Sequence, residues 1–540
     1  MDSSESDTAL SSTEPSSLNG STRDALGDRP TDAGPGAEIG TLTLKEDVAG
    51  GLGRHLGIVS TTFLIIGRMV GTGIFSTPSS ITNSVGSVGA ALLLWVFGLA
   101  ISFAGLFVWL ELGCMFPRSG GEKVYLEATY RRPKLLVTVV FSVQAILLGF
   151  TATACIVFAT NILLAADRVA TEWEARGIAI VVMTVITLLH IFTPKASVRI
   201  MNAIGSVKIF VLLFIVATGW VVLSGKAPNV PNPGASFHHP FEGSVTSSNP
   251  YATALFKVLN SFAGWSNAAY VLNEVKRPVR TLKIAGPLAL ATCGLLYILA
   301  NVSYFSVGTP QEIAHSGITV ASFFVGRVFG ATAERILSVF VAISAFGNVM
   351  TVTFTRARLN QELAKEGVVP FPRFWASTWP VGSPSAGLLL HWIPSFVVIA
   401  AIPFGDAYNF IIDLEGYPGS ILSFFVVLAV FLLRFDPETK HLPRPFRVPL
   451  PIAGFFMVGQ TFLLVAPFLR PPGGKGDTSL PYWLYAVVGT GILFSGVVYW
   501  VVWMKILPYL GKYELQETKT HLRDGTVVTV FEKAKYNLAL

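Results

Sequence analysis

Charge is scarce in this chain. Only 13% of its 540 residues are Asp, Glu, Lys or Arg, roughly half the ~25% of an ordinary soluble domain. Hydrophobic residues make up 52% and the mean hydropathy is +0.59, a balance that nearly excludes a water-soluble enzyme. Cysteine is scarcer still: Cys114, Cys155 and Cys293 each lie in or at the edge of an apolar run, so no disulfide framework is available and packing is their expected role. The first fifty residues lack an apolar core, which excludes a classical signal peptide and leaves insertion to the first spanning helix. There is no HExxH and no paired CxxC, and GGKG at 473–476 lacks the upstream glycine of a phosphate loop. A zinc enzyme and an ATP-driven pump are therefore unsupported, and no cofactor or metal is expected. The formal charge of +7 is dispersed between apolar runs, so it reports on topology and not on a nucleic-acid partner.

What the chain has is apolar sequence in long runs. They recur at about 58–82, 87–113, 135–165, 176–194, 199–223, 250–273, 284–307, 333–353, 385–402, 408–434, 452–469 and 482–505. Each suffices to cross roughly 30 Å of hydrocarbon, some with tilt. The expected fold is an all-α membrane protein of about 12 transmembrane helices. The eighth run, preceded by a re-entrant-looking stretch at 318–330, and the short ninth are its weakest members. Residues 1–55 are poor in hydrophobics with an acidic excess, the composition of a disordered tail. A transporter domain is expected over 56–508, with spans 1–5 at 56–223, 6–10 at 250–434 and 11–12 at 452–505. Residues 509–540 form a second tail whose apolar Val527–Phe531 run suits either a small strand or a surface helix.

Basic residues set the orientation, because short cytoplasmic loops carry excess Lys and Arg. With the amino terminus inside, the inner loops hold clusters such as Arg118, Lys123, Arg131, Arg132 and Lys134, or Lys276, Arg277, Arg280 and Lys283. The outer loops keep only scattered cations. Both termini are thus expected in the cytoplasm, in agreement with an even number of spans.

Two interruptions carry the chemistry. The first span reads IIGRMVGTGIFSTPSS, with Gly67, Gly71 and Gly73 close together. Each glycine weakens a helix by about 1 kcal/mol relative to alanine, which marks a break in mid-membrane. Unwound backbone is tolerated there only beside protein or a wet cavity. A break exposes amides at a half-helix start, suited to a carboxylate, and carbonyls at a half-helix end, suited to an ammonium. A zwitterionic amino acid matches both. The competing reading is close helix packing through small residues. Five spans later, NSFAGWSNAAYVLNE interrupts the sixth run around Trp265, and breaks at corresponding places in two halves point to a transporter site.

Arg68 and Lys208 are cations inside spans, where charge is costly and marks function or a specific partner. Arg68 falls about eleven residues into its span, roughly 16 Å from its start, with Asp413, Glu415, Glu334, Glu111 and Glu274 as candidate partners. His190, at an inner helix end, is expected to be interfacial.

GTGIFSTPSSI at 71–81, ELGCMFPRSGGEKVYLE at 111–127 and SFAGWSNAAYVLNEVKRPVRTL at 261–282 together resemble the L-type amino acid transporters of the amino acid-polyamine-organocation superfamily. The arginine before GTGIF and the SFAGWSNAAYVLNEV wording narrow the resemblance to fungal methionine permeases. It covers about residues 55–505. The resemblance implies a five-plus-five inverted repeat with broken helices 1 and 6, plus two extra C-terminal helices. It implies that Gly71, Thr72 and Gly73 meet the substrate carboxylate, that Met69, Val70, Ser261 and Phe262 offer carbonyls to its ammonium, that Phe262, Ala263, Gly264 and Trp265 border its side chain, and that Ile74 belongs to the same binding segment. Asn260 stands where many relatives have an aromatic gate. Lys208 matches a lysine that takes the place of a sodium ion beside the first break, which favours proton coupling, with Arg68 beside it. No cysteine lies at 166–176, so no disulfide-linked heavy chain is expected. Lys45 is the candidate acceptor for arrestin-guided ubiquitination by a ubiquitin ligase.

The expected function is import of a neutral amino acid, methionine foremost, with protons by alternating access at the plasma membrane. An obligate exchanger or polyamine carrier, and a nutrient receptor on a transporter fold, are the alternatives.

Overall fold

The computed structural model describes residues 38–39, 42–43, 45–46, 54–168, 171–379, 381–401, 407–471 and 480–535. In chain order the helices are α1 (Ile58–Met69), α2 (Gly73–Val85), α3 (Val88–Met115), α4 (Glu122–Thr129), α5 (Leu136–Leu147), α6 (Ala152–Ala165), α7 (Glu172–Phe192), α8 (Pro194–Leu223) and α9 (Ser248–Phe262). A 3₁₀ segment follows at Asn267–Glu274. Then come α10 (Pro278–Phe305), α11 (Pro310–His315), α12 (Val320–Phe329), α13 (Ala331–Lys365), α14 (Pro372–Ala376), α15 (Ser385–Ala401), α16 (Ala407–Phe435), α17 (Leu450–Val465), α18 (Leu484–Val501) and α19 (Leu507–Gly511).

Among the described residues, ten helices are long and apolar enough to cross a membrane. The other two of the twelve expected spans are the sixth, divided between α9 and the 3₁₀ segment, and the ninth, the 17-residue α15. The bundle is an all-α membrane fold. Span 1 is α1 plus α2 and span 6 is α9 plus the 3₁₀ segment, five spans apart as the repeat requires. The eighth span, read as 333–353, is far longer: α13 runs for 35 residues. The stretch before it forms the separate helix α12. The third span is interrupted at 148–151, a break not anticipated, where the Thr151 N–H donates to Ser395 Oγ at 3.2 Å.

A few helix starts carry side-chain caps. Ser87 accepts from Ala90 N ahead of α3, and Thr309 and Glu312 form a reciprocal capping box at α11. Charges at the ends of spans are paired. Glu111, 1% exposed, receives Arg434 through Nε at 2.9 Å and through Nη2, and also the Val448 N–H at 2.8 Å. Arg358 pairs with Glu274, while Lys123 reaches Glu127 at 2.9 Å and Glu366 at 2.8 Å.

The described residues before span 1 meet those after span 12. Most of the expected amino-terminal tail falls outside the described residues. Within it, β1 (Glu38–Ile39) pairs with β2 (Leu42–Thr43), and Glu46 accepts from Lys519 at 2.7 Å. At the other end β3 (Tyr513–His521) and β4 (Val527–Lys535) form an antiparallel hairpin. The Val527–Phe531 run is thus a strand, consistent with its β-branched content. The hairpin is pinned by Asp524, whose Oδ2 accepts from Thr378 N at 2.6 Å and Thr378 Oγ1 at 2.8 Å.

Burial raises the Asp524 carboxyl, but these bonds and those of Thr526 outweigh it and draw its pKa down to about 2. A depressed acid contributes above its ordinary value of about 3.9 and loses that contribution as pH falls through the folded value. Docking is thus insensitive to pH from neutrality to about pH 4 and weakens as pH falls toward 2. Asp524→Ala is expected to speed tryptic cutting at Arg523 by about tenfold at neutral pH, as loss of a charge-assisted anchor requires; timed digestion read by mass spectrometry checks it.

Candidate functional site

The breaks in spans 1 and 6 meet in the bundle. The chain enters span 1 alongside the end of span 6. His55 N and Leu56 N both donate to Glu274 O at 2.9 Å, and Lys276 N donates to Leu56 O at 2.8 Å. Deeper in, the two backbones approach as closely as glycine allows. A Cβ on Gly73 would sit 2.6 Å from Ser261 Oγ and 2.8 Å from Ser261 Cα. A Cβ on Gly264 would sit 2.4 Å from Arg68 Cγ, and Gly264 has φ +128°, which other residues rarely adopt. The glycines therefore both break the helices and let them touch, so the two sequence readings hold together.

The break frees carbonyls at the end of α1, and side chains from other spans take most of them. Lys208 Nζ donates to Gly67 O at 2.8 Å. Asn348 Nδ2 donates to Arg68 O at 2.7 Å, and the Tyr297 hydroxyl donates to Met69 O at 2.5 Å. Ser344 Oγ lies 3.3 Å from Gly71 O and 3.5 Å from Val70 O. Met69 O and Val70 O, expected to face a substrate ammonium, thus already accept from Tyr297 and Ser344. Tyr297, Ser344 and Asn348 escaped sequence reasoning; their signal was polarity inside apolar spans 7 and 8. On the other side of the break no side chain caps the start of α2, leaving amides directed at the gap, the arrangement that receives an anion.

A small chamber of about 30 Å³ lies at the break, lined by Arg68, Met69, Gly71, Thr72, Gly73, Asn260, Asn348 and Glu415 among others. A larger cavity of about 260 Å³ continues from it, lined by Arg68, Asn260, Ala263, Gly264 and Trp265 together with Trp109, Glu122, Tyr270, Arg356 and Glu415. Val70, Ile74, Ser261 and Phe262 line neither. Phe262 is fully buried against Trp95 and Tyr297, at ring distances of 5.6 and 5.2 Å. Ser261 Oγ instead donates to Lys257 O at 2.9 Å and lies 2.9 Å from Thr77 Oγ1.

Of the candidate partners for Arg68, Glu415 is the one that shares its cavities and attracts it, while Arg356 repels it. Glu111 and Glu274 are engaged with Arg434 and Arg358. His190, in the last turn of its helix, is buried with Nε2 3.0 Å from Met350 O. Lys45 is exposed beside the Glu46–Lys519 contact.

Comparison with known proteins accords with this geometry. A family model described as amino acid permease matches residues 56–510. The chain is 39% identical to the high-affinity methionine permease of Saccharomyces cerevisiae, over 87% of this chain and 83% of that protein. It is 31% identical to the low-affinity methionine permease of the same yeast, over 89% and 88%. It is also 28% identical to the mouse b(0,+)-type amino acid transporter 1, over 84% and 88%. A chain matched by the family model along its whole helical bundle, with two broken spans meeting at a polar chamber, is a transporter and not an enzyme, and it belongs to the amino acid permease family.

Proposed function

We propose that this permease imports neutral amino acids, methionine foremost, together with protons, by alternating access. The observation that carries the reading is the meeting of the span 1 and span 6 breaks around a chamber with the uncapped start of α2 on its wall. Amides there suit a carboxylate, and Asn260 and Glu415, which line both the chamber and the roughly 260 Å³ cavity continuous with it, suit an ammonium. The yeast relatives supply the side-chain preference. Lys208, fixed on Gly67 O beside the break, puts a cationic side chain where a coupling ion would otherwise bind, which supports protons over sodium.

The loop charges favour a plasma-membrane protein with cytoplasmic termini, working without a disulfide-linked heavy chain. In that orientation Lys45 is open to a ubiquitin ligase recruited by an arrestin.

The test is uptake of labelled methionine into empty proteoliposomes under an inward proton gradient. Accumulation that collapses with a protonophore is the expected result. Uptake only after preloading with amino acid would make the protein an exchanger instead.

A further inference from the structure

A third break, at 148–151 in span 3, has no part in the function proposed above. It is held in place from span 9. Ser395 Oγ accepts from the Thr151 N–H at 3.2 Å and itself donates to His391 O at 3.0 Å, while the His391 ring is hydrogen-bonded to the Gly149 backbone. The bend requires glycine at 149, because a Cβ there would lie 2.1 Å from Ala145 O and 3.6 Å from Arg356 Cδ. α15 thus fixes the break at Gly149 and at Thr151, and Phe150 stands between the two anchors.

Phe150 is buried, and it lines both the small chamber at the span 1 break and the larger cavity that continues from it. Among the described residues around the chamber it is the only aromatic. The chamber's volume of about 30 Å³ holds water but not an amino acid. Substrate therefore reaches the amides of α2 only when part of the wall shared with the larger cavity gives way. Arg68, Asn260, Val352 and Glu415 complete that wall. The carbonyl of Arg68 is held by Asn348, and Val352 lies within the unbroken α13. Asn260 and Glu415 are polar groups of the kind a zwitterion engages. Phe150 alone is bulky, apolar and mounted on non-helical backbone, and its ring leaves without unmaking a polar contact.

We propose that Phe150 is the gate of the amino acid site and that Ser395 is its positioning residue. The ring divides the chamber from the larger cavity, swings aside to join them into one volume that admits the amino acid, and closes against the substrate's side chain, limiting its size. Ser395 acts through the Thr151 N–H, which sets the backbone from which the ring projects. An aromatic face suits the aliphatic or thioether side chain it closes on. The proposal rests on the reading of the chain as a neutral amino acid permease.

The test is entry of labelled methionine into methionine-loaded proteoliposomes of the full-length protein, which a symporter and an exchanger both sustain, with unlabelled methionine or tryptophan as competitor. Wild type is expected to prefer methionine. Phe150→Ala is expected to lower the preference for methionine over tryptophan by about tenfold or more, the scale on which pocket shape discriminates apolar side chains. Phe150→Leu, which keeps an apolar blocker and guards against misfolding, is expected to fall between. Ser395→Ala is expected to shift the preference in the same direction. Phe150→Ala combined with Ser395→Ala is expected to match Phe150→Ala alone, since a residue acting through the ring adds nothing once the ring is gone. A preference unchanged in Phe150→Leu and Phe150→Ala, at whatever rate, would overturn the gate while leaving the permease reading intact. Additive effects of the two alanines would overturn the role of Ser395. Absence of entry of any neutral amino acid through wild type would overturn both the gate and the permease reading.

Discussion

Gly73→Val is expected to abolish methionine uptake while leaving a folded, monodisperse protein. The first added carbon already lies 2.8 Å from Ser261 Cα, so backbone and not a flexible side-chain tip must yield. The valine branches then separate α2 from α9 by on the order of 1 Å, a displacement large enough to cost about 100-fold where geometry decides the rate. The bundle itself has other contacts to hold it, so the loss falls on the site. Uptake measured beside size-exclusion elution checks both halves of the statement. Gly73→Ala is expected to fall between wild type and valine, because it adds the clash without the branches.

The largest effect on stability is expected from Glu111→Gln. The carboxylate is 1% exposed and receives Arg434, Arg444 and the Val448 N–H, joining the end of α3 to the end of α16 and the loop after it. Glutamine preserves the shape but leaves the buried Arg434 guanidinium without its countercharge. Breaking a buried pair from one side costs about 3–5 kcal/mol, because the remaining ion has no water to return to. The midpoint of thermal unfolding in detergent is expected to drop accordingly, and Glu111→Gln combined with Arg434→Met to recover part of the loss.

The spans were legible because hydrocarbon imposes one requirement on every crossing, a run of apolar residues of fixed length. The first and sixth breaks were legible because glycine advertises them. The break in span 3 was not: Gly149 is its sole local sign, and the Thr151 N–H is satisfied by Ser395, more than two hundred residues away. The same holds for the carbonyls of α1, whose partners Tyr297, Asn348 and Lys208 come from three other spans. Sequence showed that a break must expose carbonyls; only the fold shows which of them remain for a substrate. The surroundings of Arg68 belong to this class as well, since five carboxylates were candidates: Glu111 and Glu274 are taken up in their own pairs, and of the five only Glu415 lines the cavities that Arg68 lines. Phe262 packs on Trp95 and Tyr297 outside both cavities for a related reason, because hydropathy reports depth in the bundle but not which side of a helix faces a neighbour.

The hydrogen bonds at the break also divide span 1 mechanically. α1 is tied to spans 5, 7 and 8 through Lys208, Tyr297 and Asn348. α2 is tied elsewhere: Thr77 to Ser261 in span 6, Ser76 to Ile318 O and Ser79 to Gly317 O ahead of α12. One continuous helix would transmit any rotation from end to end like a rigid axle. Cut at Val70–Thr72 and clamped to different neighbours, its halves instead behave as two levers sharing a pivot, and that pivot is the wall of the chamber.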